Sequence, residues 1–202
     1  MSEQPEPQPV LPFDVDEIRE ITASDHRYIA DHPHSPYLFW IGCSDARVPE
    51  TSMLRGREQQ VFTHRHIANL FHGDSVKASL VFFSNLERSE VNRVPEIFVV
   101  GHLDCGGVRA AYSVAHGNES PSLHADLLRW LDPLIAFSRE IGPDGGVDRL
   151  TRENIKQQVK NVLQALVTQD AKHTIHVYGY LYKGDSGFAR LVSETYIPKS
   201  NS

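Results

Sequence analysis

The sequence predicts an α/β fold: a mainly parallel β-sheet flanked by helices, with an N-terminal helical arm and a C-terminal edge strand. Short apolar runs of strand length alternate with longer stretches whose apolar residues recur at helical spacing. Strands that alternate with helices form parallel sheets, and right-handed crossovers place the helices on the sheet faces. A chain of 202 residues is long enough to build one such domain around a sizeable core.

The first half of the chain predicts an arm, a helix and three strands. Residues 1–12 alternate proline with polar residues, which is typical of a flexible arm. Apolar residues near helical spacing predict a helix over 14–30. The continuous apolar run 37–41 is typical of a strand buried on both faces. The other elements predicted here are a strand over 60–64, an amphipathic helix over 74–86 and a strand over 96–101.

The second half predicts three helices followed by two strands. The long helix is expected to follow residues 151–154, because its apolar period begins at Ile155. Pro133 is expected to kink the preceding helix, which is predicted over 122–140. The predicted elements are helices over 108–116 and 122–140, the long helix, a strand over 174–181, a turn at 183–187 and an edge strand over 188–192. We expect residues 13–195 to form a single domain and residues 196–202 to form a tail.

Composition and charge exclude two classes of partner. The hydrophobic content of 40% and the charged content of 23% are ordinary for a globular protein, and no apolar run is long enough to span a bilayer. The net charge of −6 carries no basic stripe, which disfavours nucleic acid and favours a small-molecule substrate. The start of the chain does not resemble a secretory signal, so we expect a cytoplasmic location.

The two cysteines of the chain, Cys43 and Cys105, each follow an apolar run, and His102 stands three residues before the second. Two thiolates and one imidazole are donors that Zn²⁺ prefers, and catalytic zinc sites leave a fourth position open. Because the carboxyl ends of parallel strands share one edge of a sheet, Cys43 can reach the other two from a neighbouring strand. The sequence therefore predicts one Zn²⁺ per chain. The alternatives are a disulfide or two inert buried thiols, and a reducing compartment disfavours the disulfide.

Three motifs resemble those of the β-class carbonic anhydrases in order and spacing: CSDAR at 43–47, RHIAN at 65–69 and GHLDCGG at 101–107. Two further segments, ENIKQQV at 153–159 and IHVYGYLY at 175–182, resemble the late helix and strand of that family. Five patterns in register make coincidence improbable. The chain departs from the family pattern at Ala46, where serine is common, and at His66, where asparagine is frequent.

The resemblance implies a zinc enzyme that hydrates carbon dioxide reversibly to bicarbonate and a proton, with zinc-bound hydroxide as the nucleophile. It places the metal ligands at Cys43, His102 and Cys105. It places a catalytic dyad at Asp45 and Arg47, in which Asp45 orients the hydroxide and Arg47 holds the carboxylate.

The resemblance also implies regulation and assembly. In a subset of the family, bicarbonate favours a shut form in which the aspartate occupies the open position on zinc. This chain resembles that subset at Trp40, Arg65 and Tyr182, which would cradle the anion. The alternative is that Trp40 and Tyr182 are strand core residues and Arg65 is a surface or interface charge. The resemblance further implies a homodimer, often paired into tetramers.

Other functions remain open at this point. Relatives on the same scaffold hydrolyse carbonyl sulfide or carbon disulfide with the same ligands. A non-catalytic module with structural zinc or a redox-sensing thiol pair is another alternative, although structural sites usually have four protein ligands and no fourth Cys or His stands at a motif spacing. Sequence also does not single out a proton carrier among His64, His66 and His72.

Overall fold

The computed structural model describes residues 36–54, 61–86, 93–117 and 123–198. The predicted arm over 1–12 and the predicted helix over 14–30 lie outside the described residues, as does the end of the predicted tail, 199–202. The domain limits at 13 and 195 therefore stay predictions.

The centre of the fold is a five-stranded sheet with the order β2-β1-β3-β4-β5. The first four strands are parallel, and β5 pairs antiparallel with β4 at one edge. This confirms the mainly parallel sheet and the C-terminal edge strand. The strands are β1 (Leu38–Cys43), β2 (Val61–His66), β3 (Glu96–His102), β4 (Ile175–Tyr182) and β5 (Phe188–Tyr196).

Helices pack against the sheet in two apolar clusters. One cluster buries a sheet face under the second and fifth helices, with side chains such as Ile41 and Val99 at its centre. The other joins the third and fourth helices to the ends of the strands and includes both cysteines. The helices are α1 (Glu50–Met53), α2 (Asp74–Ser84), α3 (Gly106–His116), α4 (Ala125–Ile141) and α5 (Gly146–Thr168).

Helix α5 begins earlier than the sequence predicts, and the start after residues 151–154 is wrong. Gly145 precedes the helix in a left-handed conformation with φ 76°. The hydroxyl of Thr151 donates to the Val147 carbonyl at 2.9 Å, which is a bond within the helix. Leu150 packs into the cluster that holds the cysteines, whereas Ile155 packs into the other one. The apolar pattern that starts at Ile155 therefore does not include the first turns of α5, and the prediction placed the helix start too late.

Strand β5 is also longer than the predicted 188–192. Its last residue, Tyr196, pairs with Ile175 at the start of β4. The Tyr196 side chain is buried, and its hydroxyl donates to the Ala171 carbonyl at 3.1 Å. The remaining predicted elements differ from the observed ones by a few residues at their ends, and α4 runs through Pro133 to Ile141. None of the described helices combines the length and the apolar character needed to cross a membrane.

Candidate metal centre

Three buried donor side chains meet where β1 and β3 end. Cys43 is the last residue of β1 and His102 is the last residue of β3, its parallel neighbour. Cys105 follows after a turn that passes through Asp104, which has the left-handed φ of 57°. The three donor atoms lie within 4.8 Å of one another, and this is the one group of its kind in the described part of the chain.

Two features of the donor atoms fit a bound metal ion: the orientation of the His102 ring and the separation of the two sulfurs. The Nδ1 atom of His102 donates to the Leu103 carbonyl at 2.8 Å, so its lone pair is on Nε2. That Nε2 atom is buried and has no hydrogen-bond partner among the described residues. The two sulfur atoms lie 3.8 Å apart. Zn–S bonds of about 2.3 Å at the tetrahedral angle separate two sulfurs by about 3.8 Å.

The same distance excludes the disulfide alternative in this structure. A disulfide requires an S–S distance of about 2.05 Å, and both cysteines are free and buried. The pKa of the Cys43 thiol is lowered to about 4, mainly because Cys105 hydrogen-bonds to it, with His102 and the backbone at Asp45 and Ala68 adding to the effect against burial. Donation to Cys43 and burial raise the pKa of Cys105. The cluster therefore stabilises negative charge on sulfur.

Asp45 and Arg47 form a dyad beside these donors. Asp45 Oδ1 accepts hydrogen bonds from Arg47 N and Nε at 2.9 Å each, and Oδ2 accepts one from Arg47 Nη2 at 2.6 Å. These bonds hold the pKa of Asp45 well below its usual range. Asp45 Oδ2 lies 3.9 Å from His102 Nε2. Arg47 Nη2 also donates to the Asp104 carbonyl at 3.2 Å, which ties the dyad to the turn between the ligands.

Arg65 lies against the backbone that carries Cys43 and Asp45. Its Nε donates to the Cys43 carbonyl at 2.9 Å and its Nη2 to the Asp45 carbonyl at 2.6 Å. A longer ion pair of 3.8 Å joins it to Glu50. Its side chain is one-quarter exposed, so it is a hydrogen-bonded part of the site rather than a freely solvated charge.

Trp40 and Tyr182 share Phe188 as a neighbour. The ring centroid of Phe188 lies 6.4 Å from that of Trp40 and 5.1 Å from that of Tyr182. Trp40 is 1% exposed, yet its indole N–H has no partner among the described residues. Tyr182 pairs with His102 across the strands and lines a cleft of about 230 Å³ together with Arg47 and His102.

Sequence reasoning missed three contacts of the site, namely the Leu103 carbonyl, the Asp104 carbonyl and Phe188. Two of them are backbone groups, which residue type does not reveal. Phe188 was expected only as the start of an edge strand.

The histidines that the sequence left unassigned have different surroundings. Both ring nitrogens of His66 are buried without a hydrogen-bond partner among the described residues, and its ring lies 5.4 Å from that of Trp130. Burial and the neighbouring His64 lower the pKa of His66 to about 4. His64 bonds Ser79 at 3.0 Å, and His72 packs on the same Trp130 ring.

Comparison with known proteins gives a consistent result. The family model for carbonic anhydrase matches residues 38–189. The carbonic anhydrase of Saccharomyces cerevisiae is 29% identical over 177 residues, which cover 79% of this chain and 75% of the yeast protein. That of Candida albicans is 27% identical over 93% of this chain, and the match spans only 66% of the Candida protein.

Solved structures agree with the sequence matches. The β-carbonic anhydrase CafA of Aspergillus fumigatus is 31% identical and superposes with a TM-score of 0.60, covering 87% of this chain and 86% of that one. The β-carbonic anhydrase of Coccomyxa superposes with a TM-score of 0.68 at 20% identity, covering 90% and 83% of the two chains. The second likeness supports the fold alone.

Proposed function

Because this chain belongs to the carbonic anhydrase family, we propose that it catalyses the zinc-dependent, reversible hydration of carbon dioxide to bicarbonate and a proton. The observation that carries the proposal is the group of three buried donor side chains, whose two sulfurs are as far apart as in a tetrahedral zinc site. Bound Zn²⁺ lowers the pKa of a coordinated water and so supplies a nucleophile near neutral pH.

Each residue of the site has a separate task in this proposal. Cys43 and Cys105 would hold the metal as thiolates, and His102 would hold it through Nε2, because the Leu103 carbonyl keeps the proton on Nδ1. Asp45 accepts a hydrogen bond from the attacking water and thereby points an oxygen lone pair at carbon dioxide. Arg47 keeps the Asp45 carboxylate ionised and fixed through three hydrogen bonds.

Asp45 would block the site if its carboxylate left Arg47 and bound the metal instead. The carboxylate that pairs with Arg47 also lies 3.9 Å from His102 Nε2, so a small movement would bring it to the open metal position. We propose that bicarbonate favours this shut form by binding near Trp40, Arg65 and Tyr182. The unpartnered indole N–H of Trp40 supports the proposal, because a buried donor without an acceptor is costly. The guanidinium of Arg65, which donates to the Asp45 carbonyl, places a positive charge beside this position.

The central test compares metal content and carbon dioxide hydration in wild type, Cys105→Ser and His102→Asn. We expect both variants to lose most of the zinc and nearly all activity, because each removes one of three ligands. His116→Asn is the matched control, since His116 bonds Ser138 away from the site. Zinc and activity retained in Cys105→Ser would contradict the assignment.

The alternative functions make different predictions in the same assay. A hydrolase of carbonyl sulfide or carbon disulfide would release sulfide faster than it hydrates carbon dioxide in stopped-flow measurements. A structural zinc or redox module would show neither activity. The structural-zinc alternative lacks support here, because the donor group contains three side chains and no fourth within the described residues.

We also propose a cytoplasmic homodimer that can pair into tetramers. The support is the family resemblance, together with the tetrameric β-carbonic anhydrases known from Sordaria macrospora. Light scattering of the purified protein tests this assembly, and a fully active monomer would contradict it.

A further inference from the structure

A continuous chain of side-chain amides runs along helix α5 toward the metal centre. The amide nitrogen of Gln157 donates to Asn161 Oδ1 at 3.0 Å, and Asn161 donates to Gln158 Oε1 at 3.0 Å. Gln158 donates to Asn154 Oδ1 at 2.8 Å, and Asn154 donates to the Ala68 carbonyl at 3.0 Å. Each amide after the first accepts from the one before it and donates to the next acceptor, so each bond polarises the next.

The two inner amides are buried and hold a loop at two points. Asn154 is 0% exposed and Gln158 is 6% exposed. Besides the bond from Asn154 to the Ala68 carbonyl, Gln158 Oε1 accepts the Phe71 N–H at 2.9 Å. Buried amides are costly unless both their donors and their acceptors are paired, so this arrangement ties α5 firmly to segment 67–71.

Segment 67–71 has a backbone that needs such support. Ala68 and Asn69 have φ values of 60° and 46°, a left-handed conformation that residues with a Cβ rarely adopt. A third bond, from the Trp130 indole to the Ile67 carbonyl at 3.0 Å, restrains the start of the segment. The left-handed turn therefore persists because neighbouring elements fix it.

Segment 67–71 lies next to the end of β1, which carries Cys43. It follows His66, which pairs with Cys43 between β2 and β1 and whose carbonyl accepts the Ser44 N–H at 3.1 Å. Ala68 itself packs in the same buried cluster as Cys43 and Cys105. Groups around a metal ligand orient it and change how much charge it gives to a metal ion. We propose that Asn154 and Gln158 are positioning residues of the metal centre, which hold segment 67–71 in place beside Cys43. The proposal rests on the proposed function, because it treats Cys43 as a metal ligand.

Asn154→Asp separates positioning from general stability. Aspartate nearly preserves the shape and still accepts from Gln158, but it loses the N–H that reaches Ala68. We expect the thiolate-to-metal charge-transfer band of the Co²⁺-loaded protein to shift from its wild-type position and metal affinity to fall by roughly tenfold, because segment 67–71 loses its anchor beside Cys43. Gln158→Glu, which keeps the acceptor for Phe71 and loses the donor to Asn154, should show a smaller change in the same direction.

Gln164→Glu is the matched control. It makes the same amide-to-acid change on α5, at an exposed side chain that bonds Thr168, and should leave band and affinity as in wild type. Unchanged band and affinity in both Asn154→Asp and Gln158→Glu would overturn the proposal. If a variant does not fold, amide exchange in wild type decides: we expect the Phe71 N–H, which donates to Gln158, to exchange slowly, and rapid exchange would equally overturn the proposal.

The outcomes for the two proposals differ. A wild-type protein that binds Co²⁺ but does not hydrate carbon dioxide defeats the proposed function. The band shift in Asn154→Asp still reports whether α5 positions the Cys43 ligand.

Discussion

The carboxylate of Asp45 lies between Arg47, which hydrogen-bonds to it, and His102, one of the three donors of the candidate metal centre. Arg47 holds it through three hydrogen bonds, while His102 Nε2 lies 3.9 Å away. Orientation of a reacting water depends on the charge of this carboxylate and on its fixed position. In the proposed function, the strength of the Asp45–Arg47 pair would therefore decide whether Asp45 orients the reacting water or moves onto the metal.

We expect Asp45→Asn to lower hydration activity by at least about 100-fold while zinc stays bound, because the amide keeps the size of the side chain but loses its charge. Metal analysis and stopped-flow hydration measure both quantities. Asp104→Asn is the control, since that carboxylate is exposed and pairs with Arg109. Equal activities of the two variants would contradict a catalytic role for Asp45.

Trp40→Phe tests the proposed bicarbonate site. Phenylalanine removes the unpartnered indole N–H but still fills the buried space next to Gly42, where a Cβ would stand 2.2 Å from Trp40 Nε1. We expect inhibition by bicarbonate to weaken about tenfold, the usual effect of losing one hydrogen bond to an anion. Initial hydration rates at rising bicarbonate concentrations measure it. An unchanged inhibition profile would show that Trp40 is only a core residue.

The lowered pKa of the buried His66 side chain should make the stability of the protein depend on pH. Its pKa is lowered from the ordinary 6.5 to about 4 by burial, so between these values the unfolded chain takes up a proton that the folded chain does not. Stability should therefore fall as pH drops from about 6.5 to about 4, by up to about 3 kcal/mol. In His66→Phe the slope should be flatter. Urea unfolding of both proteins with a chelator present measures it, and parallel slopes would contradict the assignment.

At the scale of elements, the site is built from strand ends and one helix start. Cys43 ends β1, His102 ends β3, and Cys105 directly precedes α3. The first turn of α3 also packs closely on segment 67–71, because a Cβ on Gly107 would come within 2.6 Å of Ile67 Cγ2. The space beside Gly107 therefore cannot hold a larger side chain unless Ile67 moves.

We expect Gly107→Ala to lower the free energy of unfolding by about 1–3 kcal/mol, because the new methyl group must displace Ile67. Gly106→Ala is the matched control in the same turn, since nothing lies within 4 Å of its Cβ position. Its stability should stay within about 0.5 kcal/mol of wild type. Denaturant unfolding compares the two, and equal losses would contradict the packing argument.

The sequence predicted well the features that depend on residue type and poorly those that depend on backbone placement. Cysteine and histidine after apolar runs indicated the three donors, and these side chains do converge. The start of α5 was missed because Leu150 joins a different apolar cluster from Ile155. The left-handed backbone of Ala68 was not predictable, because such a turn at alanine has no sequence pattern.

At the scale of the whole molecule, the two cysteines of the candidate metal centre come from distant parts of the chain. Cys43 and Cys105 are 62 positions apart in sequence. We expect chelation of the metal to lower the midpoint of thermal unfolding, and added Zn²⁺ to restore it, because a ligand bound only by the folded state stabilises it by about 4 kcal/mol at 1,000 times its Kd. Calorimetry with and without chelator measures this. The same midpoint in both conditions would contradict metal binding by the folded protein.

The sequence distance between Cys43 and Cys105 has a further consequence. An ion held by both sulfurs acts as a reversible cross-link that closes a long loop, and loop closure costs less entropy once the link exists. If Cys43 and Cys105 hold zinc as proposed, a newly made chain that meets the ion late would have to order this loop without help and would stay exposed to proteases for longer. The supply of zinc to a cell would then set how much of this protein survives its own synthesis, as well as how much of it is active.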